Sequence, residues 1–455
     1  MRTRILAKRV CTHSLAVFLA GAVACSSVTD SLLEATDPDL INPTDVASAD
    51  GAVALYNGGI QRFTAITAGA ESTWLFGGLL ADEWSSSSTF VQNDETDQRA
   101  IQDNNSQVNN MLRRLYRART SATQAIKSLK TYAPTDRARI GEMYFARGFA
   151  ELQLASDFCN GIPLSDGTEV EIVFGQPQPV AAVFTTAVAS LDSAIATANG
   201  TSANEVLVNR AARVAKARAQ LGLNQIAQAA TSVAGIPTSF AYQHTFTETT
   251  TRNTIWSLGL SALRYSVADS VEGNGRNIVV ANAIPFGSAK DPRVPVIDTR
   301  KAGQDGQTFT RTTSIFAQLG AVDVVNGIDA RMIEAEAALK AGNVAQWLSI
   351  HNALRAAPPA LGAVQPAAMA PLTDPGTDAA RINLHFREKA FWTFGRGQRL
   401  GDLRRLIRQY GRTAANTFPS GVHYKGGNYG TDVNLPITQS EQNNPNFTQC
   451  LDRNA

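Results

Sequence analysis

Apolar residues recur at helical spacing through much of the first half of the chain. From Asn109 to Lys130, Leu112, Leu115, Tyr116, Ala122 and Ile126 fall mostly three or four residues apart, which is the period of one helix face. Tyr132-Ala133-Pro134-Thr135-Asp136 breaks the pattern, and a second helix is predicted from Arg137 to Phe158. Its apolar residues Ile140, Met143, Tyr144, Phe149 and Leu152 alternate with the small residues Ala146, Gly148 and Ala150. Apolar side chains on so much of the circumference predict burial, and the small ones let a neighbouring backbone come close. Asn160-Gly161-Ile162-Pro163 stops this helix. Further helices are predicted over Pro179 to Thr197, Glu205 to Leu221, Asn224 to Ala234, Asp329 to Lys340 and Val344 to Arg355.

Two stretches share one design. Ala217 to Gly222 and Ala335 to Gly342 each run from an alanine-rich helix through a leucine to a glycine turn, followed by an apolar helix. That order is tetratricopeptide-like, but the pairs are unevenly spaced. The predicted fold is therefore mainly α, with tetratricopeptide-like helix pairs forming a superhelical scaffold. A loop-rich insertion, 238–326, interrupts it. This insertion is rich in Thr, Ser, Gly and Asn, and short strands are predicted at Asn277 to Val280 and Val294 to Asp298. Pro358 to Asp378 is a second irregular region, and the tail from Phe418 reads as ordered loop. No long Pro/Gly/Ser linker divides residues 46–455, so they read as one domain despite their length.

The N-terminus reads differently. Arg2, Arg4, Lys8 and Arg9 precede an apolar run from Leu15 to Ala24, too short to span a bilayer comfortably. Residues 1–24 are thus a predicted secretory signal. Small residues lead up to Cys25, the expected lipidation site, although Ala22 stands where such signals usually carry leucine. Residues 25–45 are polar and read as a tether. No other stretch reads as a membrane span. Without residues 1–24 the chain has 37 Lys and Arg against 39 Asp and Glu. The basic excess belongs to the signal, and the near-neutral remainder has no gross charge bias toward nucleic acid. Cys159 and Cys450 remain either as a disulfide of an exported protein or as two buried thiols. No CxxC or HxxxH spacing points to a metal, no GxSxG to a serine hydrolase.

Several segments taken together resemble the SusD/RagB family of nutrient-binding lipoproteins. Glu142 to Ala150 with Asp157 to Leu164 is similar to the family's Arg/Ala/aromatic helix and its Gly-x-Pro-Leu loop. Lys290-Asp291-Pro292-Arg293-Val294 resembles its DPR segment, and Arg331 to Ala337 its RLAEAEA helix. Arg387-Glu388-Lys389-Ala390 followed by Arg399 to Arg405 resembles its RERA helix and R-x-x-DL-x-R motif, and Asn444-Pro445-Asn446 its NPN tail. The resemblance covers about residues 45–452 and is specific through order and combination. It implies a helical-repeat fold, a lipid anchor in the outer membrane facing the cell surface, no catalysis and no cofactor. It also implies a SusC-like TonB-dependent barrel as partner and a glycan or other nutrient as ligand.

Candidate binding residues come from exposed aromatics beside polar groups, because sugars offer flat apolar faces edged with hydroxyls. Asp82, Trp84, Phe90 and Asn93, in a serine-rich stretch of weak periodicity, form one group; Trp256 and Tyr265, in the insertion, form another. Trp74, Trp347 and Trp392 fall in predicted helices and are assigned to the core, as is His351. Arg387, Glu388, Arg399, Asp402, Arg404 and Arg405 read as ion pairs locking helices together. The aromatic content of 7% is low for a dedicated polysaccharide binder and leaves room for peptide cargo. Two other classes compete with a nutrient binder. One is a tetratricopeptide-type scaffold that binds only proteins. The other is an α-helical glycoside hydrolase, for which Asp82, Glu83 and Asp94 are the clearest acidic cluster.

Overall fold

The computed structural model describes residues 47–168, 172–249 and 252–455. The predicted signal (1–24), Cys25 and the tether (25–45) lie outside these residues. Residues 49–455 form one compact unit.

The chain opens with α1 (Ala49–Thr67), α2 (Thr73–Leu80), β1 (Trp84–Ser86) and α3 (Val91–Asp97). Two long helices follow, α4 (Ser106–Tyr132) and α5 (Arg137–Asp157), then the paired β2 (Ile162–Pro163) and β3 (Pro177–Gln178). Helices α6 (Val180–Thr197), α7 (Ala203–Gly222) and α8 (Ile226–Val233) complete the first half. From α4 onward each helix packs on the one before it, and α1 lies against α4. Side-chain caps fix several starts. Asn105 accepts from the amides of Gln107 and Val108, Asp136 from Arg139 and Ser202 from Glu205. The small residues of α5 act as the sequence suggests: a Cβ on Gly148 would lie 2.7 Å from Leu191, and one on Gly141 would lie 2.8 Å from Ala198. Helix α6, by length and composition, is apolar enough to cross a membrane, which corrects the expectation that no stretch beyond the signal is. It sits between α5 and α7, burying Val183, Phe184, Ala187 and Leu191.

The insertion holds β4 (Ala241–His244), α9 (Thr254–Trp256), β5 (Tyr265–Val267), β6 (Val271–Glu272), β7 (Ile278–Val279), β8 (Val296–Ala302), β9 (Phe309–Thr313) and β10 (Val322–Asn326). It leaves and re-enters the helical array at one place, because β4 pairs antiparallel with β10. Helix α10 (Gly327–Lys340) then packs on α8 as if nothing intervened, and α11 (Val344–Ala356) packs on α10. A capping box starts α10: the Asn326 side chain accepts from the Asp329 amide while the Asp329 carboxylate accepts from the Asn326 amide. Phe63, Phe145, Phe149 and Tyr242 pack with centroids 4.9–6.3 Å apart, mostly edge to face. They bind the root of the insertion to α1 and α5. Such pairs contribute about 0.5–1.5 kcal/mol each beyond area burial.

Helices α12 (Asp378–Trp392) and α13 (Arg399–Tyr410) close the array. The tail folds back along α5, where Leu435 pairs with Phe158 and Asp452 with Asn160. Cys159 and Cys450 are joined as a disulfide across a separation of 291 residues. Trp74, Trp347, Trp392 and His351 are buried. The charged cluster resolves into fastenings except at Arg387, which is exposed and stacks on Phe391 instead of pairing. Glu388 accepts from Arg293 at 2.8 Å and Arg355 at 3.0 Å, and Asp402 from Lys389 at 2.7 Å and Arg405 at 3.2 Å. Arg405 also grips Glu336, and Arg404 donates to the carbonyls of Ala155 and Ser156.

Candidate ligand-binding site

The segment Asp82 to Ser88 is not an exposed binding loop. It runs as β1 beside β5, with Trp84 opposite Val267 and Ser86 opposite Tyr265. Asp82, Trp84, Asn93 and Tyr265 are all buried, so four of the six predicted site residues are core positions. The reason is mutual satisfaction of polar groups. The two oxygens of Asp82 accept from Arg399 Nε and Nη2 at 2.6 and 2.8 Å, and one of them also accepts the Ile284 amide at 2.9 Å. Asn93 Nδ2 donates to the Tyr265 hydroxyl at 3.1 Å. The serines look hydrophilic in sequence, but Ser86 Oγ donates to Asp94, Ser87 Oγ to the Leu263 carbonyl and Ser88 Oγ to Gln304. Trp84 is held by α2 and the 394–395 turn. Its ring stands 4.9 Å from Phe394, and a Cβ on Gly78 would fall 2.4 Å from it.

Each carboxyl of the acidic trio is held by a partner. Asp82 is tied into its arginine fork. Burial drives Glu83 up to about 8, against the opposing hydrogen bond from the Gly395 amide at 2.8 Å. Asp94 is likewise raised by burial, while accepting from Lys425 Nζ at 2.7 Å.

Yet the two predicted aromatic groups do converge. Trp84, Trp256 and Tyr265 line one cavity of about 240 Å³ in the insertion, beneath α9 and beside β9. Asn253 sets the position of Trp256 by capping α9, its side chain accepting from the amides of Ile255 and Trp256. Trp256 is half-buried, and next to it Leu260 and Ile297 stand exposed on the rim. The polar part of the lining comes from Thr312, Thr313, Ser314 and Gln318. Arg311 belongs to the wall rather than the ligand: it donates to the Val267 carbonyl at 2.9 Å and pairs with Asp269 and Glu272. Phe90 is the most exposed of the six, with the Arg264 guanidinium 4.8 Å from its ring centre, and it does not line this cavity. The hydroxyl rim on β9 had no aromatic flag in the sequence and was not among the predicted site residues. At 240 Å³ the space falls below the ~300–1,000 Å³ of pockets for drug-sized ligands. It suits one small ring or side chain with an apolar face and a hydrated edge. Among the described residues no group of three or more His, Cys, Asp or Glu could hold a metal ion.

The architecture is a helical array interrupted by a loop-rich insertion that holds a cavity of about 240 Å³. Among solved structures it is similar to a SusD superfamily protein from Bacteroides fragilis, with a TM-score of 0.64, 17% identity and coverage of 88% of this chain and 99% of that one. A laminarin-binding SusD-like protein matches with a TM-score of 0.57 and 15% identity over 89% of this chain and 99% of that one. A SusD-like carbohydrate-binding protein from Bacteroides fragilis matches at 0.57 and 13% over the same shares. No protein-family model matches the chain, and no curated protein does. The fold of residues 49–455 is the SusD fold.

Proposed function

We propose that this protein is a non-catalytic, surface-exposed lipoprotein of the outer membrane that captures glycans and delivers them to a SusC-like TonB-dependent barrel. The observation that carries the binding step is the convergence of Trp84, Trp256 and Tyr265 on one cavity edged by the hydroxyls of β9. The half-buried Trp256 offers an aromatic face to the apolar side of a pyranose, and hydroxyl donors and acceptors meet its edge. Relatives in fold described as binding laminarin or carbohydrate support the same ligand class. Capture without cleavage agrees with the burial of Asp82 and Glu83, which leaves neither carboxyl free to act across a cleft. Cys25 would carry the anchor. Leu260, Val279, Ile297 and Phe309, all exposed on the insertion, offer apolar surface for the barrel.

The test is a glycan and peptide panel read by calorimetry on the purified protein, with Trp256→Ala alongside. Glycan binding that the variant loses supports this reading. Binding of peptides alone would replace the ligand class. A folded protein that binds nothing on the panel would favour a scaffold whose only ligands are proteins.

A further inference from the structure

A larger cavity than the one around Trp256 lies elsewhere, in a groove of about 660 Å³ between α12 and α13. One helix face of each lines it: Ile382, Asn383, Phe386 and Arg387 from α12, and Leu403, Leu406 and Tyr410 from α13. The loop 282–285 of the insertion and the segment 412–417 complete the walls. Three arginines reach it, Arg387, Arg399 and Arg412, and no carboxylate does. Arg399 is committed to Asp82. The other two are not committed to any acid. Within the charged cluster on these helices, Glu388, Asp402, Arg399, Arg404 and Arg405 are all buried in fastenings, whereas Arg387 is exposed and only stacks on Phe391, 5.1 Å from its ring centre. The Arg412 guanidinium donates to the side-chain oxygen of Asn383, which aims it along the groove wall. Asn282 is pinned by donating to the carbonyls of Ala415 and Phe418 at 2.9 and 3.0 Å, so the opposite wall is fixed as well.

We propose that this groove is a second binding site, for a small ligand with a carboxylate on a partly apolar body, the carboxylate lying between Arg387 and Arg412. Arginine forks match a carboxylate in two parallel hydrogen bonds, and a wall without acids leaves the positive field uncancelled. Phe386, Leu403 and Leu406 take the apolar body. The shared chemistry could come from a uronate sugar or from the end of a peptide, and the chemistry of this site differs from that of the neutral, aromatic cavity around Trp256.

The probes are digalacturonate against neutral digalactose, and an acetylated dipeptide acid against its amide, titrated by calorimetry at low and high salt. Expected is binding of at least one acid, about tenfold or more weaker for its neutral counterpart, weakened by salt, and reduced about tenfold or more by Arg387→Gln. Trp256→Ala should leave that affinity unchanged. The acid that binds identifies the source. Arg387 is exposed and forms no ion pair among the described residues, only the stack on Phe391, so the variant should stay folded with a melting temperature close to wild type, and Arg412→Gln gives an independent second reading. No binding of either acid overturns the proposal. So does binding that ignores both arginine substitutions, or binding abolished by Trp256→Ala, which would place the carboxylate in the other cavity. Loss of neutral-glycan binding with retained, arginine-dependent acid binding would sink the proposed glycan function and leave this site standing.

Discussion

In the helical array, charge is placed inside. Arg396 meets Asp329 at 2.6 Å, Arg399 meets Asp82 at 2.6 Å and Lys389 meets Asp402 at 2.7 Å, all buried. In the insertion the apolar side chains are the ones left outside: Leu260, Val271, Val279, Ile297 and Phe309 are exposed, the last four on strands that pair only two by two. Two-stranded ribbons are marginal by themselves in water. The insertion therefore depends on the array for its stability, and the buried charges supply much of the attachment. Arg293, in the insertion, bonds both Asp291 and Glu388 of α12, and Asp82 ties α13 to the Ile284 amide. The cavity lined by Trp256 lies on the part least able to hold itself, fastened by buried ion pairs that do not line that cavity.

The sharpest way to break that division is to remove one partner of a fastening. Arg399→Ala leaves the Asp82 carboxylate buried without its counter-charge, which costs about 3–5 kcal/mol. Chemical denaturation should show this loss, and limited proteolysis should cut the insertion before the helices. Equal resistance of the two regions would mean that the ribbons stand alone. Next in size is the clasp at the tail. Cys159→Ser with Cys450→Ser should lower stability by about 2–4 kcal/mol, and wild type in reductant should follow the variant. No difference between oxidised and reduced protein would show that the strand contacts at Phe158 and Asn160 hold the tail unaided.

The sequence made the array legible and the site only half so. Periodicity with glycine and proline stops located α4 to α8, α10 and α11 to within a few residues, because local packing and capping follow local order. The insertion was legible from the loss of that period. The burial of β1 was not. Ser85 to Ser88 look solvated, and what removes them from water are partners up to 216 residues away, such as Gln304 for Ser88. Trp84 and Trp256 were singled out for one chemical reason, yet only the distant pairing of β1 with β5 brings them to a common cavity. Arg387 was read as one more ion-pairing residue, since nothing in its spacing tells that its neighbours pair without it.

A third test uses pH. Glu83 and Asp157, each buried, are both driven up to about 8 by burial, Glu83 against the Gly395 amide and Asp157 against Arg404 and Arg218. Their native pKa values lie above the unfolded ones, so the folded state binds the extra protons between about pH 4 and 8. Their contribution is fully present below that window and is lost as pH rises through it. Glu83→Gln with Asp157→Asn removes the dependence. The melting temperature of wild type should drop relative to the double variant from pH 5 to pH 8.5. Parallel curves would mean that both carboxyls are ionised in the native protein.

The smallest effect separates the two tryptophans of the cavity. Trp84 is buried between Phe394 and the Gly78 turn of α2, and its truncation should cost about 3–5 kcal/mol, which would hide any effect on binding. Trp256 is half-buried at the end of α9, whose cap comes from Asn253 rather than from the ring. Trp256→Ala should cost only about 1 kcal/mol while emptying one side of the ligand space. If both substitutions were equally destabilising, the aromatic floor would be core throughout, and binding would have to be sought on the exposed rim of Leu260 and Ile297 or in the arginine groove between α12 and α13.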